Sequence, residues 1–167
     1  MTRIALISDT HGYLGEDVLK HIAPCDEVWH AGDIGTAEVT DNLKSIKPLR
    51  AVYGNIDGGV LRVEYKETLY FTVDGLSILM THIGGAPGRY PANVKAMINE
   101  LKPGVFICGH SHILRVAYDK PYNLLHLNPG ACGVHGFHQV RTMLRFTIES
   151  GKPGNMEVIE LGPRARS

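Results

Sequence analysis

The chain has 167 residues, of which 44% are apolar and 20% charged, the composition of an ordinary folded domain long enough to bury a core. Seventeen Lys and Arg balance seventeen Asp and Glu, so net charge gives no sign of a nucleic-acid or anionic-membrane partner. Cys25, Cys108 and Cys132 form an odd set without metal-finger spacing, which points to a reducing, cytoplasmic compartment, and no apolar run approaches the roughly 20 residues of a membrane span.

In chain order, Arg3 to Ser8 reads as a buried strand, short and rich in Ile and Leu, and it delivers Ser8-Asp9-Thr10-His11-Gly12. Glu16 to Ile22 carries a helical stripe of Val18, Leu19 and Ile22, ended by Pro24. Glu27 to Ala31 is a second strand running into Gly32-Asp33-Ile34-Gly35, and Glu38 to Ile46 a second helix. Leu49 to Tyr53 is a third strand, followed by Gly54-Asn55-Ile56-Asp57-Gly58. This alternation predicts a parallel sheet with helices on its faces. Glu67 to Asp74 and Leu76 to Thr81 read as a hairpin about Gly75, with His82 leaving the second strand. A helix over Pro91 to Leu101 precedes the strand Val105 to Cys108, which runs into Gly109-His110-Ser111-His112. Leu114 to Tyr118, Leu124 to Leu127, Met143 to Glu149 and Met156 to Leu161 are strand-like. The reading is one domain over residues 1–161, with 162–167 a frayed tail.

Polar groups thus follow five apolar runs: Asp9 and His11, Asp33, Asn55, His82, then His110 and His112. Two carboxylates, an amide oxygen and four imidazoles are too many for one tetrahedral ion and suit two ions sharing a carboxylate. Each group has a structural alternative. Asp33 could cap the following helix, Asn55 could hold a left-handed turn, and His82 could end its strand with an ordinary hydrogen bond. His21, His30, His126 and Cys108 read as structural, and Asp57 as a brace for a ligand or a turn.

Asp-x-His, Gly-Asp-Ile-Gly, Gly-Asn-x-Asp, Thr-His and Gly-His-Ser-His, in that order, resemble the calcineurin-like metallophosphoesterase superfamily. The short length and Asn128-Pro129-Gly130 look like its small YfcE/MJ0936-type branch, to which the retromer subunit Vps29 is related. The resemblance implies an α/β fold, a four-layer αββα sandwich. It implies that Asp9, His11, Asp33 and His112 hold one metal, and that Asp33 bridges to a second held with Asn55, His82 and His110. It implies two divalent ions, manganese foremost with iron, zinc or nickel as alternatives. A metal-bound hydroxide, with Asp33, Asn55 and His82 in the catalytic set, would hydrolyse a small phosphate-ester substrate. The branch also forms dimers or tetramers, so a homo-oligomer is an expectation.

One position departs from the pattern. Many superfamily phosphatases carry His directly after the metal-binding Asn, and here that residue is Ile56. The loss of this acid shifts the expectation toward phosphodiesters, with His135 or His138 as the replacement proton donor. The alternative function is a Vps29-like protein-interaction scaffold. Such scaffolds have lost part of the ligand set, whereas all seven residues stand here.

Overall fold

The chain is organised around its first strand, Thr2–Ile7 (β1). Ile4 and Leu6 face one way and Ala5 and Ile7 the other, and all four are fully buried. A strand apolar on both faces is stable only with a layer on each side. The computed structural model, which describes residues 1–164, supplies both layers. After β1 come Glu16–Ile22 (α1), Glu27–His30 (β2), Ala37–Ile46 (α2), Leu49–Ala51 (β3) and a short helix, Val60–Glu64 (α3). Then follow Thr68–Val73 (β4), Leu76–Thr81 (β5), Ala92–Leu101 (α4), Val105–Ile107 (β6), Arg115–Asp119 (β7), Leu124–Asn128 (β8), Val140–Glu149 (β9) and Lys152–Pro163 (β10).

Two five-stranded sheets result, in the orders β10-β9-β1-β2-β3 and β4-β5-β6-β8-β7. β1, β2 and β3 run parallel in the first, and β5, β6 and β8 in the second. Between the sheets lies one apolar layer, with Ile4, Leu6, Trp29 and Phe146 meeting Ile78, Met80, Val105 and Ile107. Outside the first sheet, Ala5, Ile7 and Val28 pack on Val18 and Ile22 of α1 and Val39 and Leu43 of α2. Outside the second, Leu79 and Phe106 pack on Val94 and Ile98 of α4. The expected αββα sandwich is therefore the fold. Local chemistry agrees with it: α1 carries Glu16 and Asp17 in its first turn and Lys20 and His21 in its last, matching the helix dipole.

The differences from the sequence reading lie at the edges. α3 and a single 3-10 turn, Lys120–Tyr122, were not expected. β10 is longer than foreseen, and it takes up the first half of the tail expected to fray. Gly162 and Pro163 pair with Arg141 and Val140, and the Arg164 backbone N–H donates to the Gln139 carbonyl at 2.9 Å. An edge strand tolerates Pro because its outer N–H has no ladder partner to lose. Residues 165–167 of that tail lie outside the described residues. Among the described residues no helix is long and apolar enough to cross a membrane.

Candidate metal centre

In open parallel sheets, ligands gather beyond the carboxyl ends of the strands. Here two such edges meet, one from each sheet. The loops after β1, β2 and β3 bring Asp9, His11, Asp33 and Asn55, and those after β5 and β6 bring His82, His110 and His112. Five of these seven residues, Asp9, His11, Asp33, His110 and His112, have φ between 45° and 68°. That left-handed region costs a side-chain-bearing residue about 1–2 kcal/mol. Strain of this kind persists where the surroundings over-determine it, and it clusters at functional sites.

Each carboxylate is anchored by one oxygen and presents the other. Asp9 Oδ2 accepts from the Ser8 hydroxyl at 2.6 Å and the His110 backbone N–H at 3.2 Å, while Oδ1 is buried without a partner. Asp33 Oδ1 accepts from the Ile56 N–H at 3.1 Å, while Oδ2 lies 3.4 Å from His11 Nε2 and 3.2 Å from His82 Nε2. His112 Nε2 stands 3.1 Å from Asp9 Oδ1, and His110 Nδ1 stands 3.1 Å from Asn55 Oδ1. Asp33 can sit this close to the β3 loop because residue 54 is Gly; a Cβ there would lie 2.1 Å from Asp33 Oδ1.

The imidazoles are oriented as well. His82 Nδ1 is 2.8 Å from the Ala31 carbonyl, which can only accept, so Nδ1 carries a proton and Nε2 is the atom turned to the centre, where a cation would take the place of any second proton. His138 Nε2 is 2.9 Å from the Gly133 carbonyl, and its Nδ1 is 3.2 Å from His112 Nδ1. With the His138 proton on Nε2, its Nδ1 accepts from His112 Nδ1–H, which leaves His112 Nε2 bare toward Asp9. Gly136 permits this contact, since a Cβ there would lie 2.3 Å from His112 Nδ1.

Burial alone would raise both carboxyl groups. The imidazoles of His11, His112 and His82 together with the Ser8 hydroxyl instead hold Asp9 well below the ordinary carboxylate value. Asp33 is lowered in the same way by His82 and the Ile56 N–H. For His82, burial opposes charge, but the two aspartates outweigh it and raise its pKa. The cluster thus favours ionised carboxylates, the form that binds cations.

Two groups of donor atoms lie close enough together to hold an ion: Asp9, His11 and His112, and Asp33, His82 and His110. Two donors each about 2.1 Å from one ion, at octahedral or tetrahedral angles, are about 3.0–3.4 Å apart. Four of the separations, from 3.1 to 3.4 Å, fall in that range, while Asp9 Oδ1 to His11 Nε2 is wider at 3.8 Å. Three of the converging atoms, Asp9 Oδ1, His11 Nε2 and His82 Nε2, are buried with no hydrogen-bond partner, a costly arrangement unless a ligand satisfies them. The donor set in each group fits a divalent metal ion.

The structural alternatives fare differently. The residue capping α2 is Thr36, not Asp33, and Asn55 does not have positive φ. Asp57 braces two loops at once, accepting from the N–H groups of Ile34, Gly35 and Gly54 at 2.8 to 3.0 Å. His30 is fully buried, with Nδ1 accepting from Gly32 N–H and Nε2 2.9 Å from the Thr10 hydroxyl, which donates to the Ile34 carbonyl. It ties the Asp9 loop to the Asp33 loop, and burial pushes its pKa down to about 4. His126 is also fully buried, with Tyr90 and Cys108 as distant partners, and burial lowers it to about 4. Sequence reasoning missed Ser8 and Thr10. Their position on either side of Asp9 was the available signal.

The fold and these motifs define a phosphoesterase family. Residues 2–151 match the model of the calcineurin-like phosphoesterase superfamily domain, and the chain belongs to that family. It is 31% identical over 137 residues to the probable metallophosphoesterase MJ0623 of Methanocaldococcus jannaschii, covering 77% of this chain and 67% of that one. Among solved structures, an archaeal phosphodiesterase shares the fold with a TM-score of 0.71 at 21% identity, over 95% of this chain and 99% of that one. Wild-type Vps29 of Entamoeba histolytica complexed with zinc does so with a TM-score of 0.73 at 16% identity, over 95% and 98%.

Proposed function

We propose that this chain is a metal-dependent phosphodiesterase working through a dinuclear centre, with Asp9, His11, Asp33 and His112 holding one ion and Asp33, Asn55, His82 and His110 the other. The observation that carries the reading is the convergence of three partnerless buried atoms, Asp9 Oδ1, His11 Nε2 and His82 Nε2, about Asp33: the two imidazole nitrogens lie 3.4 and 3.2 Å from Asp33 Oδ2 and each 3.8 Å from Asp9 Oδ1. Asp33 Oδ2 faces an imidazole of each group, which suits it to be the shared ligand. Two divalent ions held there would make water nucleophilic at neutral pH and draw charge from the phosphoryl oxygens. Manganese is our first choice of metal.

The protein's own part is positioning. Ser8, the His110 N–H and the Ile56 N–H fix the carboxylates, and the Ala31 carbonyl and His138 turn His82 and His112. His138 has both ring nitrogens engaged within the protein, so we assign it to holding His112 rather than to proton donation. His135 is exposed, and its ring lies 4.7 Å from that of His11, which leaves it as the proton donor to a leaving group. With Ile56 in place of an acid beside Asn55, esters with good leaving groups are favoured.

The test is hydrolysis of bis-p-nitrophenyl phosphate against p-nitrophenyl phosphate by metal-stripped protein titrated with manganese. Activation with the diester preferred supports the reading. Preference for the monoester keeps the metal centre and removes the argument from Ile56. No turnover with manganese, nickel, iron or zinc rejects the enzyme and turns the search to a protein partner, the scaffold alternative that the resemblance to Vps29 implies.

A further inference from the structure

A diester has two arms, and two clefts open beside the centre. The first, of about 330 Å³, is lined by Asn55, His82, Tyr53, Arg62 and Glu67 among others. The second, of about 310 Å³, is lined by His110, Ser111, Arg89, Arg115 and Asn128 among others. Ile83 and Pro91 line both, so they form the ridge between them.

The clefts differ in charge. In the first, the Arg62 guanidinium is already committed, stacked over Tyr53 at 4.6 Å and donating to the Asp57 carbonyl, and Glu67 adds a negative charge. The second holds two guanidiniums, Arg89 and Arg115, and no carboxylate. Among the described residues neither guanidinium has an ion-pair or hydrogen-bond partner. Ser111 adds a third donor. Its Oγ accepts from Asn128 Nδ2 and from the Ile113 N–H, both at 3.2 Å, so its hydroxyl proton is uncommitted. On a chain with no net charge, two free guanidiniums and a free hydroxyl around one cleft form a local site for an anion.

We propose that this cleft binds a second anionic group, a phosphate or a carboxylate, on one arm of the phosphodiester, while the arm without it lies on the Tyr53 side of the ridge. The proposal rests on the phosphodiesterase reading and narrows its substrate class to diesters carrying a further negative charge beyond the scissile phosphate. Arg115 on β7 and Arg89 in the loop before α4 come from opposite sides of the cleft's sequence, so the pocket is built by the fold rather than by one basic segment.

Thymidine 5′-(p-nitrophenyl phosphate) and its 3′-phosphorylated form differ only in such a group. With manganese-loaded protein, kcat/KM is expected to be about tenfold higher for the 3′-phosphorylated ester, the scale of one charge-assisted contact. In the Arg89→Gln/Arg115→Gln double variant that ratio is expected to fall to about one. A ratio of one in the unaltered protein, or an unchanged ratio in the variant, overturns the proposal. If neither ester is hydrolysed, the phosphodiesterase reading fails separately, and calorimetry of thymidine 3′,5′-bisphosphate against thymidine 5′-phosphate decides the cleft. Preference for the bisphosphate that the double variant loses supports it; equal affinities, or a preference the variant keeps, reject it.

Discussion

The two sheets bring different chemistry to their common edge. The first supplies both carboxylates, Asn55 and one imidazole, on loops cross-braced by Asp57 and His30. The second supplies three imidazoles, two of which are turned by single contacts, Ala31 to His82 and His138 to His112. Negative charge is therefore fixed rigidly on one side and neutral donors are aimed from the other. Both contacts that aim them come from outside the second sheet, one from the loop after β2 and one from the loop before β9. The spacing of the centre is thus set by how the sheets dock across the layer of Trp29, Phe146, Ile78 and Met80.

The contrast can be broken most severely from the carboxylate side. Asp33→Ala is expected to lower kcat/KM by about a thousandfold or more while leaving the thermal transition intact, because Asp33 belongs to no apolar cluster. Wild-type turnover by this variant with its metal still bound would sink the shared-ligand assignment. On the imidazole side the effect is smaller. His138→Phe is expected to weaken metal binding about ten- to a hundredfold and His138→Gln, which keeps an acceptor for His112, to restore most of it. Nitrogen NMR of the metal-free protein reads the same change as loss of the fixed His112 tautomer.

A third comparison uses acid. Burial lowers His30 and His126 to about 4, against about 6.5 in an unfolded chain. The unfolded state then binds protons first, so their contribution is complete above pH 6.5 and lost as pH falls toward 4. Urea unfolding of metal-free protein should show a loss of up to about 3 kcal/mol for each residue across that interval. Asp9 and Asp33, whose pKa values are lowered, add stability above the ordinary carboxylate value that is lost only at lower pH. A flat profile between pH 6.5 and 4.5 would mean that the two histidines are hydrated. The smallest effect is expected at Ile56, half exposed beside Asn55. Ile56→His should shift the monoester-to-diester rate ratio about tenfold toward the monoester.

The sequence was most informative where backbone and chemistry coincide. β1 was readable because Ile4 to Ile7 is an apolar run, and the seven polar groups because each follows such a run. α3 was not, since five residues with exposed Val60 and Val63 show no helical stripe. Of β10 only the middle, Met156 to Leu161, was legible; its ends were hidden by Pro153, Gly154, Gly162 and Pro163, residues disfavoured in strands but tolerated at an edge. Within the centre, residue types were legible but the bare face of each ring was not. Orientation depends on partners such as Ala31 and His138 that lie far away in the chain. The same holds for Arg89 and Arg115, which become neighbours of one cleft only through the fold.

The end of the hairpin made by β9 and β10 returns to the loop that carries His138. Arg164 donates through its backbone to Gln139 and through Nε to the His138 carbonyl at 2.8 Å. The chain's last described residue therefore acts as a latch on a loop that also touches His112 through His138 and His11 through His135. Arg164→Ala would release the side-chain half of the latch while leaving both sheets and all seven polar groups in place. A guanidinium some fifty residues away along the chain thus becomes a control on the tautomer of His112 in the centre.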